Sequence, residues 1–169
     1  MAESLVEPWL RGTYGNVDAV RRQVVHALEL AGEDVARWCE GLSDAEMHAR
    51  PFGVASVAYQ MRHMVRSLDR LLTYAEGRQL SAEQLSALAG EMPEVATGVE
   101  LFQEFRAGLE EARRRVLAVS PGSYEEVRGV GRKMLPSTVG GLLVHCAEHT
   151  QRHVGQAVTT AKVVVEAKS

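Results

Sequence analysis

The sequence has few cysteines and few aromatic residues. Its 169 residues include only two cysteines, Cys39 and Cys146, which lie far apart and form no Cys-x-x-Cys pair. A disulfide framework is therefore not expected, which fits a reducing cytoplasm. Aromatic residues make up only 5% of the chain, so a core must be built mainly from Leu, Val, Ala and Met. Such a composition favours helix-on-helix packing over a sheet.

Long apolar runs and long runs of one charge are also missing. No segment approaches the roughly 18 apolar residues that a membrane span needs. The first ten residues lack the basic and then apolar pattern of a secretory signal. The one basic run, the three arginines at residues 113–115, points in several directions on a helix and is interpreted as solvated surface. We therefore expect a cytoplasmic protein without nucleic-acid or membrane partners.

Four segments have apolar residues at steps of three and four, the spacing of one helix face. The first is predicted to span about 23 residues, between an N-cap at Asn16 and a stop at Gly41. The second is predicted over residues 54–77. The third follows a capping box at residues 97–100 and ends at residues 120–122.

The fourth helix is predicted to begin at Ser137 and to run to about Val165. Short capped helices are predicted after residues 43 and 81, and residues 123–136 are predicted to form a loop with a short extended piece. Four amphipathic helices can bury their apolar faces only against one another. The sequence therefore predicts a single all-α domain over residues 1–169, a four-helix bundle with long crossover connections.

Three of the six histidines lie in the fourth helix, four residues apart, at His145, His149 and His153. Side chains at i and i+4 lie on the same side of a helix, so two such imidazoles can share a metal ion. On a helical wheel His153 falls within the apolar face, His149 at its edge and His145 further round. His149 and His153 are thus the inward pair, although such a pair can also be simply hydrogen-bonded in a core.

A catalytic metal site normally needs a third protein ligand. His63 is the candidate, and it lies beside the apolar stripe of the second helix in a line of small polar residues that includes Ser56, Gln60 and Ser67. That line could wall a wet pocket or face solvent, and periodicity leaves both open. The remaining two histidines, at residues 26 and 48, are expected to be exposed.

Two segments resemble the DinB-like superfamily (DinB/YfiT-like). In residues 135–156, His149-x-x-x-His153 is followed by Gly155-Gln156, which is similar to that family's last-helix signature. Residues 56–69, which contain His63, resemble its second helix. The resemblance covers nearly the whole chain in helix order and spacing. It implies a four-helix bundle with a metal site formed by His63, His149 and His153.

The sequence departs from the family pattern beside the last of these histidines. Many members have a histidine directly before it and an arginine directly after it, where this chain has Arg152 and Val154. These two differences leave the three histidines in place. Their expected effect is therefore on the pocket rim or on a dimer contact. Similar bundles often form homodimers, and a homodimer is expected here on that ground.

A site of three imidazoles suits zinc, nickel or cobalt better than magnesium or calcium. We expect a divalent metal ion, zinc or nickel, with water or substrate at the open position. Gln156 could hold a ligating imidazole or orient the bound group, with a plain solvent-facing glutamine as the alternative. His145 is the other candidate for such an outer role.

Three functions follow, and the sequence does not decide between an enzyme and a non-catalytic protein. The resemblance implies a thiol S-transferase that uses a low-molecular-weight thiol (bacillithiol, mycothiol or glutathione) on an electrophile or on maleylpyruvate, and Arg62, Arg66 or Arg152 could hold the thiol's carboxylates. The second function is a metal-dependent hydrolase, for which Glu148 lies on the polar face of its helix. The third is a non-catalytic metal-binding or stress-response protein.

Overall fold

A computed structural model of the protein describes residues 6–89 and 96–167. Besides three short 3-10 helices, six α-helices and one pair of strands are present in these ranges. In chain order they are α1 (Ala19–Cys39), α2 (Asp44–His48), α3 (Val57–Ala75), α4 (Ala82–Ala89), α5 (Gly98–Ala118), β1 (Val127–Val130), β2 (Leu135–Thr138) and α6 (Val139–Glu166).

The four long helices form a bundle in which two of the three consecutive pairs of long helices sit on a diagonal. Helix α6 packs against α1 and α3, and α5 packs against α3 and α1. As a result α1 lies across the bundle from α3, and α5 lies across from α6. Each diagonal step needs a long connection, and α2 and the β-hairpin lie within these connections. The predicted all-α four-helix bundle with long crossovers is confirmed.

The start of α1 differs from the prediction. Its N-cap is Asp18 and not Asn16, because the Asp18 carboxylate accepts hydrogen bonds from the backbone N–H groups of Val20 and Arg21. The helix ends at Cys39, just before the predicted stop at Gly41. The predicted capping box at residues 97–100 is confirmed. Thr97 is its N-cap, and α5 begins at Gly98.

The start of α6 also differs, by two residues. Ser137 does not begin the helix, because it pairs with Arg128 in the two-stranded sheet. Thr138 is the N-cap, and its hydroxyl accepts a hydrogen bond from the Gly141 N–H group. The extended piece predicted within residues 123–136 is therefore an antiparallel hairpin whose second strand leads directly into α6.

The apolar stripes of the long helices meet in one core. Leu28, Met61, Phe105 and Leu143 are among its buried residues and come from α1, α3, α5 and α6 in turn. Helices α3 and α5 approach closely, since a Cβ atom on Gly108 would lie 2.5 Å from the Cβ atom of Val65. None of the described helices combines the length and apolar character that a bilayer crossing requires.

Both cysteines lie in this core, and neither forms a disulfide. Cys39 is at the end of α1 and Cys146 is in the middle of α6. Burial raises the pKa of each thiol to about 12. The expectation of a chain without a disulfide framework is met.

Two polar residues that were expected to be exposed are buried. Arg115 is 8% exposed and forms ion pairs with Asp69 and Glu76, so the prediction of a solvated arginine run is wrong at this position. His26 is buried because the segment before α1 folds over it, and its Nε2 atom lies 3.0 Å from the Thr13 hydroxyl. A helical wheel contains no information about such covering segments.

His48 also differs from its predicted exposure. It is half-buried, and its Nε2–H group donates to the Ala96 carbonyl over 2.7 Å. This bond ties the end of α2 to the residue that precedes the capping box of α5.

Candidate metal centre

Three histidines from two neighbouring helices converge at the interface of α3 and α6. One nitrogen atom from each of His63, His149 and His153 lies within 4.8 Å of the others. The ring centroids are 4.4 Å apart for His149 and His153, 4.5 Å for His63 and His153, and 5.1 Å for His63 and His149. The four-residue step in α6 supplies two rings on one side, and α3 brings the third opposite them.

The orientation of His153 is fixed by Gln60, a buried residue of α3. The His153 Nδ1–H group donates a hydrogen bond to the Gln60 side-chain carbonyl over 2.6 Å. With the proton on Nδ1, the lone pair of the neutral ring is on Nε2, which is the form that a metal ligand needs. The sequence placed Gln60 in the polar line of α3 without assigning it this role.

His149 is held in its neutral form. Burial lowers its pKa to about 4, and smaller contributions come from the nearby side chains of His153, His63, His145 and Arg152. Its Nδ1 atom is buried and has no hydrogen-bond partner among the described residues. A buried nitrogen of this kind, beside two other imidazoles, could bind a metal ion.

The polar line on α3 faces the interior. Ser56, Gln60 and Ser67 are buried, and His63 is half-buried between them. The ring of Tyr59 stacks on His63 with a centroid distance of 5.4 Å and an interplanar angle of 14°. Of the two interpretations that periodicity left open, the structure supports the one in which this strip walls a polar site.

His145 lies next to the triad but outside it. Its ring centroid is 5.5 Å from that of His149, and its Nδ1 atom is 2.6 Å from the Glu148 carboxylate. Its side chain is partly exposed. This agrees with the boundary position that the helical wheel indicates, and an outer role for His145 stays a prediction.

Two pockets reach the triad from its two sides along the α3–α6 groove. The larger, about 720 Å³, has His153 in its wall and extends toward the start of α3. The smaller, about 210 Å³, has His149 in its wall and extends toward the end of α3. Each pocket therefore has one histidine of the triad in its wall, while His63 lines neither of them.

The polar residues near these pockets are only partly those that were expected. Arg152 and Gln156 line the larger pocket. Arg62 and Arg66 point to α5 instead, where their Nε–H groups donate to the Glu104 carboxylate over 3.1 and 2.9 Å. Of the three arginines considered for the rim, the structure places Arg152 there.

The chemistry of the cluster fits a divalent metal ion. Three imidazoles are nitrogen donors of intermediate softness, which suit zinc and its neighbours in the first transition series. The His149 ring is kept neutral by its surroundings, and the His153 ring is oriented by the buried side-chain carbonyl of Gln60. The cluster could hold one ion with room for a further ligand from either pocket.

Comparison with known proteins agrees with this architecture. No curated protein is similar enough in sequence to match the chain. The sequence profile that describes the DinB superfamily matches residues 27–157. This stretch runs from within α1 through most of α6 and includes all three histidines of the cluster. The chain belongs to the DinB superfamily.

Proposed function

We propose that the protein is a metal-dependent thiol S-transferase whose divalent ion, zinc or nickel, is held by His63, His149 and His153. The observation that carries this proposal is the position of the three histidines between two pockets. A transfer reaction brings two different molecules to one centre. Two pockets that each have a histidine of one cluster in their wall suit such a reaction.

The ion would supply Lewis-acid chemistry, since a bound divalent metal lowers the pKa of a thiol that it contacts. The chain's own residues prepare the site for it. Gln60 keeps the His153 proton on Nδ1, and burial keeps His149 neutral. Tyr59 stacks on His63 and limits the rotation of that ring.

The proposed reaction balances without an oxidant or a reductant. The sulfur atom of the deprotonated thiol forms a bond to the electrophilic carbon. The bond between that carbon and its leaving group breaks, and the leaving group departs with the bonding electrons. With an aryl chloride the products are a thioether, a chloride ion and the thiol's proton, which passes to solvent.

The hydrolase has less support from the same pockets. A hydrolase normally needs a general base within reach of its water molecule, most often a carboxylate or a histidine. Among the residues that the structure describes, no aspartate or glutamate lines either pocket, and His145 in the smaller pocket is the one candidate base outside the triad. Glu148, the carboxylate considered from the sequence, is more than half exposed and pairs with His145 and Arg152.

The first test compares the wild type with a variant of one triad residue. Protein stripped with chelator is reloaded with zinc or nickel, and the bound metal is measured by elemental analysis. Each of glutathione, bacillithiol and mycothiol is then incubated with 1-chloro-2,4-dinitrobenzene, and thioether formation is followed by absorbance. We expect one thiol to be used by the metal-loaded protein, and His149→Ala to reduce the rate to that of the stripped protein.

His48→Gln is the control, because His48 lies outside the cluster and its imidazole bonds to the Ala96 carbonyl. It should keep both the metal and the rate. Equal rates in the wild type and in His149→Ala would reject metal-assisted transfer. Stoichiometric metal binding without turnover of any thiol would instead support the non-catalytic alternative.

A further inference from the structure

The larger pocket has one distinctive combination of surfaces. Its wall is mostly apolar and includes Phe52, Val54 and Val163, while Arg152 is the one Lys or Arg side chain among the described residues that line it. Its volume of about 720 Å³ lies within the range of pockets that bind drug-sized molecules. No described aspartate or glutamate lines it. Such a wall complements a ligand with an apolar body and a negative charge.

Phe52 marks the apolar side of this pocket. It is 96% exposed, and its backbone has a φ of 53°, a left-handed conformation that non-glycine residues adopt at a cost of about 1 kcal/mol or more. The turn from Pro51 to Gly53 therefore holds a large apolar ring in solvent at the pocket wall. An apolar ligand body would cover that ring and remove its surface from water.

Arg152 marks the charged side. Its guanidinium group lies 3.6 Å from a carboxylate oxygen of Glu148, and both side chains are more than half exposed. An exposed pair of this length contributes little, so the guanidinium group can bind a ligand anion at small cost. Gln156 and Thr159 line the pocket on the same helix and offer neutral hydrogen-bonding groups nearby.

The pocket also reaches the reacting centre. His153 and its hydrogen-bond partner Gln60 both contribute to its wall. A ligand that fills the pocket therefore extends from Arg152 to the triad. The smaller pocket on the other side, beside His149, remains available to a second reactant.

We propose that the larger pocket binds a mostly apolar molecule with one anionic group, such as an aryl carboxylate or sulfonate, and that this molecule is the electrophile of the transfer reaction. The second half of this statement rests on the proposed function. The first half concerns binding alone and needs no metal ion.

Binding is tested on the stripped full-length protein with 8-anilinonaphthalene-1-sulfonate, a fluorescent probe with an aromatic body and one sulfonate. Three competitors of the same carbon skeleton then displace it: 4-phenylbutyrate, 4-phenylbutan-1-ol and 4-phenylbutylamine. We expect the carboxylate to bind about tenfold more tightly than the alcohol, as one charge-assisted hydrogen bond predicts, and the amine to bind most weakly.

Three variants separate the charge from the cavity. Arg152→Gln should remove the preference for the carboxylate over the alcohol and leave binding of the alcohol unchanged. Thr159→Trp, at an exposed position in the wall, should weaken both about tenfold or more by filling the space. Arg114→Gln removes an exposed arginine of α5 and should change neither. Circular dichroism checks that each variant is folded.

Several results would overturn the proposal: equal binding of carboxylate and alcohol by the wild type, an unchanged preference in Arg152→Gln, or unchanged affinities in Thr159→Trp. In metal-loaded protein, 4-phenylbutyrate should inhibit competitively against the electrophile and not against the thiol. Competition against the thiol would reject the assignment of this pocket to the electrophile. Selective binding without any transfer activity would reject the proposed function and leave the anion-selective pocket in place.

Discussion

The Nδ1–H group of His153 donates a 2.6 Å hydrogen bond to the side-chain carbonyl of Gln60, and the two residues are 93 positions apart in the chain. This contact joins α6 to α3 at the wall of the larger pocket. It couples the orientation of one triad ring to the packing of the neighbouring helix.

Gln60→Leu is expected to weaken metal binding. Leucine has a similar volume but no acceptor, so the His153 ring loses its fixed tautomer and orientation. Loss of such an outer partner typically lowers metal affinity by about 10- to 100-fold. The affinity for zinc is measured on stripped protein by competition with a chromogenic chelator.

Two variants sharpen that measurement. Gln60→Glu keeps an acceptor at the same place and should bind zinc more tightly than Gln60→Leu. Gln103→Leu changes an exposed glutamine of α5 and should have no effect. Identical zinc affinities for the wild type and Gln60→Leu would show that the hydrogen bond does not support the site.

Arg115→Met is expected to destabilise the fold far more than the same change at Arg114. Arg115 is 8% exposed, and its guanidinium group donates to Glu76, Asp69 and the Thr73 hydroxyl. Removing it leaves the Asp69 carboxylate without this cation and Glu76 with only the exposed Arg78. Because both carboxylates are partly exposed, we expect a loss of about 2 kcal/mol, between the values for surface and buried pairs.

Arg114 provides the matched control one residue away. It pairs with Glu111 on the surface of the same helix and is 67% exposed. Arg114→Met should change the free energy of unfolding by no more than about 0.5 kcal/mol. Urea unfolding of both variants at neutral pH makes the comparison, and equal losses would contradict the proposed burial of the Arg115 network.

The Asp18 carboxylate should make stability depend on pH in the acid range. Burial raises its pKa, but hydrogen bonds from Tyr124 and Arg21 outweigh this and lower the pKa to about 2, from 3.8. The folded state therefore binds this proton less readily than the unfolded state. The stabilisation is complete above pH 3.8 and is lost as the pH falls to about 2.

Asp18→Asn isolates the charge, since asparagine is an equally good N-cap. At pH 6 the variant should be less stable than the wild type by about 1–2 kcal/mol, the contribution of hydrogen bonds to a charged group. The difference should shrink as the pH approaches 2. Urea unfolding at several pH values measures it, with the exposed Glu125→Gln as the control. A constant difference from pH 6 to pH 2 would contradict the assignment.

The sequence predicted those features that depend on neighbours along the chain. Helical periodicity located the four long helices, and the four-residue step between His149 and His153 placed two imidazoles on one side of α6. The capping box at residues 97–100 fixed the start of α5 correctly. Such signals depend only on residues nearby in the chain, so they hold regardless of how the helices pack against one another.

Features that depend on distant parts of the chain could not be obtained in this way. Whether His63 faces α6 or solvent depends on the diagonal order of the helices, which periodicity does not encode. His26 is buried by a segment that precedes its own helix, and Arg115 by carboxylates of α3 and its C-cap. The homodimer and the single-domain extent of residues 1–169 stay predictions.

The two buried thiols have a consequence for the proposed transfer reaction. Burial raises the pKa of Cys39 and Cys146 to about 12, so both thiols stay protonated at neutral pH, and only the thiolate reacts readily. Both cysteines are thereby protected from alkylation and from mixed disulfides with small thiols. A transferase of the proposed kind could therefore turn over a reactive compound repeatedly without losing its own thiols.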